Sequence, residues 1–169
     1  MSVRVYLPVT AAGLRSWLAG DLAGPEPLSG HAVTRELALD YDRPDAADDD
    51  EPLRLEALTD AALASAALER APGDDERVAV LEVESDDVTL RPGEGSSIRV
   101  TVAVPRANWV AGYLGPWWPA SAPEGLSGAE GRSEVTSLSG DDLGWHGVQE
   151  LDDALLPPGV TAAGASLTD

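Results

Sequence analysis

The chain lacks cysteine and lysine altogether, and it contains no long hydrophobic run. Without cysteine there are no disulfides, no thiolate zinc sites and no cysteine nucleophile. No apolar run approaches the roughly 18 residues that a membrane-spanning helix needs. We therefore expect a protein without a transmembrane segment that resides in the cytoplasm.

Positive charge is also scarce in this chain. Eleven basic residues, all arginine, face 30 acidic residues, which gives a formal net charge of −19 at pH 7. The electrostatic field of such a negative protein repels phosphate backbones and anionic membrane surfaces. Direct binding of nucleic acid or of a membrane is therefore disfavoured, whereas the charge permits a basic protein partner or no partner at all. A homodimer is a further expectation, which would depend on protein contacts and not on the charge.

Length and hydrophobic content indicate one folded domain. The chain has 169 residues, of which 43% are hydrophobic, and this is enough for a single core. Residues 1–156 carry the strand and helix patterns and are predicted to form that domain. Residues 157–169 are predicted to be a disordered tail.

Strand and helix patterns follow one another along the predicted domain. Residues 3–7 alternate apolar and polar side chains, as does a strand with one buried face. Residues 53–70 present an alanine-rich helical face, and residues 77–83 are apolar on both faces at first, as in a central strand. Residues 98–104 alternate again. Together they predict an α+β two-layer sandwich, with a mixed sheet of about four to six strands and helices mainly on one face.

The motifs of common catalytic and ligand-binding sites are missing from the sequence. The acidic run at 48–51 lacks the alternating ligands and the central glycine of a calcium loop. The Gly/Ser loop at 93–97 lacks the lysine of a phosphate-binding loop and leads into a strand. No serine stands in a Gly-x-Ser-x-Gly setting. We therefore assign no catalytic residues, no metal site and no cofactor, and we favour a non-enzymatic role.

One composite site follows from strand alternation. If the apolar residues of the first strand face the helices, Arg4 and Tyr6 point to the other face. Arg99 is expected there from a second strand, and His146 from the last strand. These four residues would then form a small cationic patch. The patch is predicted to hold a small anion or to pair with the protein's own carboxylates, and the abundance of acids favours self-pairing.

Two adjacent tryptophans, Trp117 and Trp118, lie between prolines in a stretch of small and polar residues. Exposed aromatic side chains are enriched at interface hot spots. Tryptophans that cover one end of a core are common in small domains, and this alternative is favoured. If the pair does form an interface, it is the candidate contact with a partner protein.

Several segments resemble a known family. Residues 3–8 (Val-Arg-Val-Tyr-Leu-Pro) with Thr10, residues 31–34 (His-Ala-Val-Thr), and residues 142–146 (Asp-Leu-Gly-Trp-His) are similar to uncharacterised proteins of high-GC Gram-positive (actinobacterial) bacteria. The absence of lysine and phenylalanine agrees with a GC-rich genome. The resemblance implies a fold and a source, but it implies no activity and transfers no catalytic residues.

Three functional hypotheses remain open. The first is a non-enzymatic protein-interaction or accessory module, supported by the missing catalytic motifs, the negative charge and the pair Trp117 and Trp118. The alternative is a small-anion-binding protein or simple enzyme that uses the face of Arg4, Arg99 and His146. A third is mimicry of nucleic acid, in which the acidic run competes for the groove of a basic protein.

Overall fold

The computed structural model describes residues 2–47, 49–75, 77–91, 95–115 and 142–156. Trp117, Trp118 and the predicted tail lie outside these ranges. The helices are α1 (Ala11–Gly20), α2 (Arg35–Asp40), α3 (Glu51–Ala66) and α4 (Leu151–Ala154), with a 3-10 helix at Arg106–Asn108. The strands are β1 (Val3–Thr10), β2 (Leu22–Ala23), β3 (Leu28–His31), β4 (Val78–Ser85), β5 (Val88–Leu90), β6 (Ser97–Val100), β7 (Val104–Pro105), β8 (Trp109–Leu114) and β9 (Gly144–Gly147).

Seven of these strands form one sheet in the order β5-β6-β3-β1-β4-β8-β9, while β2 and β7 form a separate two-stranded sheet. Every neighbouring pair is antiparallel. The α+β class is thus confirmed, but the prediction of a mixed sheet with four to six strands is wrong. The predicted count is too low because β5 has only three residues, too few to show a period; β2, in the separate sheet, has only two. Residues 98–104 also divide, since β6 ends at Val100 and β7 pairs with β2.

The three longest helices begin at side chains that cap them. Thr10, Thr34 and Asp50 each accept a hydrogen bond from the backbone amide three residues further on, at 3.0–3.2 Å. Each bond satisfies one of the amides that the first turn of a helix leaves without a partner. These caps fix where α1, α2 and α3 start relative to the strands before them.

Helices pack against both faces of the large sheet. Residues two apart on a strand share a face and neighbours face opposite ways, and β1 and β4 bury residues of both sets. One core cluster joins α1 and α4 to Val5, Leu7 and Leu81. The other joins α2 and α3 to Tyr6 and Val80. The prediction of a two-layer sandwich with helices mainly on one face is therefore wrong.

Ser65 ties α3 to the two central strands. Its fully buried hydroxyl donates to the carbonyl of Val9 on β1 at 2.7 Å and accepts from the amide of Ala79 on β4 at 3.1 Å. Both backbone groups lie where the two strands meet the C-terminal part of the helix. The preceding turns of α3 consequently lie over the middle of the sheet and bring Arg54 above β4.

Candidate functional site

A buried carboxylate, Glu82 on β4, is the centre of a polar cluster between the sheet and α3. Its side chain is only 2% exposed. Nη1 of Arg4 lies 3.2 Å from Oε1, and Nη2 of Arg54 lies 3.1 Å from the same oxygen. The hydroxyl of Tyr113 donates to Oε2 at 2.7 Å, and Nε of Arg54 donates to the hydroxyl oxygen of Tyr6 at 3.1 Å. We call these five residues the Glu82 cluster.

The register of the strands brings the cluster together. Tyr6 on β1 lies directly opposite Glu82 on β4, so both point to the face that α3 covers. Tyr113 reaches the same face from β8, and its ring meets that of Tyr6 edge to face at a centroid distance of 6.2 Å. Arg54 closes the cluster from the helix above. Three strands and one helix thus each supply a part.

The cluster neutralises a buried charge. Burial raises the pKa of Tyr113, and the hydrogen bond to Glu82 raises it further. Burial also raises the pKa of Tyr6, so both phenols keep their protons at neutral pH. Both oxygens of Glu82 are already engaged by protein groups. The arrangement therefore offsets the cost of burying the charge, because an unpaired carboxylate would be costly at this depth.

Two of the four predicted patch residues, Arg4 and Tyr6, belong to the Glu82 cluster. Arg4 pairs with the chain's own carboxylates, since Nη2 also lies 3.6 Å from Glu84. Tyr6 is only 2% exposed beneath α3. The face of Tyr6, which was expected to point away from the helices, is in fact covered by α2 and α3.

The other two patch residues, Arg99 and His146, lie elsewhere on the sheet. Arg99 is exposed on β6, and five strand spacings, roughly 24 Å in all, separate β6 from β9 and His146. His146 pairs with Gly112, and a Cβ at Gly112 would point at Leu151 of α4. His146 therefore lies on the face opposite to Tyr6. The expectation that these residues form one patch is wrong.

A second group of hydrogen-bonded polar side chains links α3 to the loop before β6. The hydroxyl of Ser96 donates to Oδ2 of Asp60 at 2.5 Å, and Nδ1 of His31 lies 2.9 Å from the same hydroxyl oxygen. Because the serine proton points at Asp60, His31 is the donor in the second bond. Here the serine lies between the other two, whereas a hydrolytic triad places the histidine in the middle. Ser96 is only 2% exposed, so these two hydrogen bonds anchor the loop that precedes β6.

The pH dependence of stability near neutrality tests this placement of His31. Burial lowers its pKa, although the charge of Asp60 opposes the shift. The unfolded state then binds more protons than the folded state below about pH 6.5. The contribution of His31 to the free energy of unfolding should be complete above that pH and should fall as the pH drops towards the lowered pKa. Urea titrations between pH 5 and 7.5 measure this slope.

His31→Gln removes the titration and keeps a side chain that can bond Ser96, so the slope should become shallower. His146→Gln is the control, because it leaves His31 and its contacts in place and should retain the contribution of His31. Equal slopes for wild type and His31→Gln would contradict the placement.

A groove opens where β8 begins and β9 ends. It encloses about 500 Å³, and its apolar surface comes from Trp145, Val110 and Val148. Trp145 is 61% exposed. The remaining lining side chains are Arg106, Ala107, Trp109 and Gln149. We call this depression the Trp145 groove.

Arg106 borders the groove, and acids surround it. Its guanidinium lies 5.9 Å from the ring centre of Trp109, which is within the range of a cation–π contact. It also lies 3.0 Å from Asp21 and 3.6 Å from Asp152, whose side chains are 70% and 65% exposed. The one cation of the groove lining is therefore already balanced, and the surroundings are negative.

The described part of the chain has neither a metal-binding cluster nor a membrane-spanning helix. No group of three or more histidine and acidic side chains there is arranged to hold a metal ion. None of the described helices combines the length and the apolar surface that a bilayer crossing requires.

Comparison with known proteins adds the family. The model of a family of unknown function, DUF6912, matches residues 3–155. The chain belongs to this family. The predicted resemblance to a family of unknown function is thus confirmed, while actinobacterial origin stays a prediction. No curated protein and no solved structure matches the chain, so no residue roles transfer to this DUF6912 member.

The residues that organise the Glu82 cluster, the hydrogen bonds of Ser96 and the Trp145 groove are not among the site residues predicted from the sequence. Glu82 had a usable signal, because it is the one acid among apolar residues 78–83, and an acid in a central strand needs partners. Arg54 and Ser96 had none, since their roles depend on contacts between distant segments. Trp145 stands out in the sequence only within residues 142–146, which carry the family resemblance.

Proposed function

We propose that this DUF6912 member is a non-enzymatic accessory module that binds a basic partner protein through the Trp145 groove, in the cytoplasm. The observation that carries the proposal is Trp145 itself. A tryptophan that is 61% exposed beside apolar Val110 and Val148 leaves a large apolar area in water. Such surfaces commonly mark protein-binding sites, and tryptophan is enriched among their hot spots.

The charge around the groove supports a basic partner. The turn and helix that follow β9 contribute Glu150, Asp152 and Asp153, all exposed. The net charge of −19 attracts a basic protein over a longer range and repels a second copy of this chain. Apolar contact in the groove would supply affinity, and the acidic rim would supply selection and rapid association.

Small-anion binding, the alternative, has less support from the geometry. Arg4 is held by Glu82 and Glu84, and Arg99 and His146 lie on different strands at a distance from it. The surroundings of the groove would repel an anion. The interaction proposal is therefore the one that the described contacts favour.

Site-specific photo-crosslinking in the native host tests the proposal. A photoreactive residue replaces Gln149, which lines the groove, or Thr89, which is exposed on the opposite edge strand β5. We expect position 149, but not position 89, to capture a basic protein. That protein, once purified, should bind the wild-type chain, and Trp145→Ser should weaken the affinity by at least about tenfold.

Leu90→Ser is the matched control, because Leu90 and Trp145 are equally exposed, at 61% each, on opposite edges of the sheet. It should leave the affinity unchanged. Equal loss in both variants, or capture of only a second copy of this chain at position 149, would overturn the proposal.

A further inference from the structure

We infer that the partner contributes an extended basic segment, which adds to the sheet as a further strand along the side of β9 that pairs with no other described strand. This inference rests on the proposed function and names the recognition mode of the same groove. It draws on the position of β9, the direction of its backbone groups and the charges that follow it.

Strand β9 ends the described sheet. It is hydrogen-bonded to β8 on one side, and its other side is the edge of the strand order. Short length, lysine, proline and inward-pointing charge are among the features that protect natural edge strands. Strand β9, Gly-Trp-His-Gly, has four residues and β5 has three, so both are short, but β9 includes no lysine, proline or acidic residue. The opposite edge strand, β5, is followed at once by Arg91 and Pro92. Of the two edges, β9 is the better template for an added strand.

The end of β9 shows which way its backbone points. The amide of Gly147 donates to Oε2 of Glu150 at 3.1 Å, and its carbonyl accepts from the amide of Glu150 at 2.9 Å. Both groups thus turn away from β8. In an antiparallel ladder, residues two apart direct their backbone groups to the same side. The amide and carbonyl of Trp145 consequently point to the open edge, where an added strand would find them.

The groove then receives a side chain of the added strand. Alternate side chains of a paired segment lie on one face, and a side chain that enters the depression at the end of β9 meets Trp145, Val110 and Val148, which line it. The volume of about 500 Å³ accommodates an aliphatic side chain. Strand addition in which the main chain gives affinity and pockets for alternate side chains give specificity is a known mode of peptide recognition.

Acidic residues select the charge of the segment. Glu150, Asp152 and Asp153 follow β9 directly and are exposed, so basic residues at the remaining positions of the segment would meet them. A segment that alternates aliphatic and basic residues satisfies both the groove and the rim. This pattern defines the class of partner.

Fluorescence anisotropy with a synthetic probe tests the inference on the full chain. The probe is a labelled nine-residue peptide that alternates lysine and valine. Its control has the same sequence with alternate backbone amides N-methylated, which keeps side chains and charge but blocks strand pairing. We expect N-methylation to weaken binding at least tenfold, Trp145→Ser to weaken it similarly, and Leu90→Ser to leave it unchanged.

The outcomes separate the inference from the proposed function. If both peptides bind equally well and Trp145→Ser weakens both, the groove binds a basic partner but strand addition is wrong. If Trp145→Ser has no effect on either peptide, the groove itself is not the site and both ideas fail. A dimer that Trp145→Ser dissociates, measured by light scattering, would assign the edge to a second copy and overturn the inference.

Discussion

Replacing Glu82 with alanine should lower the free energy of unfolding by about 3 kcal/mol, measured by urea denaturation. Removing one partner of a buried ion pair costs about 3–5 kcal/mol, because the remaining charges lose their compensation. Arg4 and Arg54 are 36% and 27% exposed, so water relieves part of that cost and the lower end applies. Tyr113 also loses the acceptor of its hydroxyl. Small domains have only about 5–15 kcal/mol in total, so the variant should unfold at a much lower urea concentration.

Glu84 provides the control on the same strand. It lies 3.6 Å from Arg4 and its side chain is 49% exposed. An exposed ion pair contributes about 0–1 kcal/mol, so Glu84→Ala should change stability by that amount at most. If the two alanine variants were equally stable, burial of Glu82 among the arginines and Tyr113 could not be the source of the effect.

A double variant separates lost pairing from lost packing. Glu82→Leu combined with Arg54→Met removes the buried carboxylate together with its helix partner and keeps most of the volume, while Arg4, which is 36% exposed, keeps water and its second partner, Glu84. Apolar replacement of a whole buried ion pair is often neutral or stabilising. The double variant should therefore recover more than half of the stability lost in Glu82→Ala. A loss larger than that of Glu82→Ala would show that the charges contribute more than they cost.

The central strands were predictable because their patterns are local. Residues 3–7 alternate and residues 78–81 are apolar at every position, and these segments lie in β1 and β4 at the centre of the sheet. The second pattern also implied cover on both faces, since a strand with apolar side chains on both sides needs two apolar layers. The prediction of helices mainly on one face did not follow that implication. It therefore placed Tyr6 on the face away from the helices, although α3 buries it.

The candidate sites were less predictable because they depend on strand order. Arg99 and His146 appear equivalent to Arg4 in the sequence, yet β6 and β9 lie on opposite sides of β1. Antiparallel sheets do not require sequential neighbours to pair, so this separation has no local signal. The exposure of Trp145 has the same origin, since it follows from β9 being the last strand. Glu82 differs, because its burial could be inferred from its apolar neighbours.

Arg77→Ala should also destabilise the fold by about 3–5 kcal/mol, the cost of removing one partner of a buried ion pair, and should release the C-terminal segment first. Arg77 is 6% exposed. Its Nη2 lies 2.7 Å from Oδ2 of Asp75. Its Nη1 donates to the carbonyl of Ala154 at 2.9 Å, and its Nη2 donates to the carbonyl of Leu155 at 3.1 Å. It thus joins the start of β4 to the end of α4. Hydrogen exchange should show lost protection at residues 151–156 before global unfolding.

Arg15→Ala is the matched control, because Arg15 donates to two of the three partners of Arg77, Asp75 at 3.0 Å and the carbonyl of Leu155 at 2.6 Å. Its side chain is 41% exposed, so water replaces its bonds and the loss should be about 1 kcal/mol. Equal effects of the two substitutions would show that burial of Arg77 is not what makes it important.

Acid titration adds a signature specific to the Arg77–Asp75 pair. Burial alone would raise the pKa of Asp75, but the hydrogen bonds and charge of Arg77 outweigh it and lower the pKa below its usual value. A carboxylate with a lowered folded-state pKa contributes stability that is present above its unfolded pKa of about 3.9 and is lost as the pH falls through the folded value. The stability difference between wild type and Arg77→Ala should therefore be constant near neutrality and should shrink below about pH 4. Among the partners of Arg77, only the carboxylate of Asp75 titrates in that range. A difference that stayed constant down to pH 2 would therefore mean that Arg77 acts through the carbonyls of Ala154 and Leu155 alone.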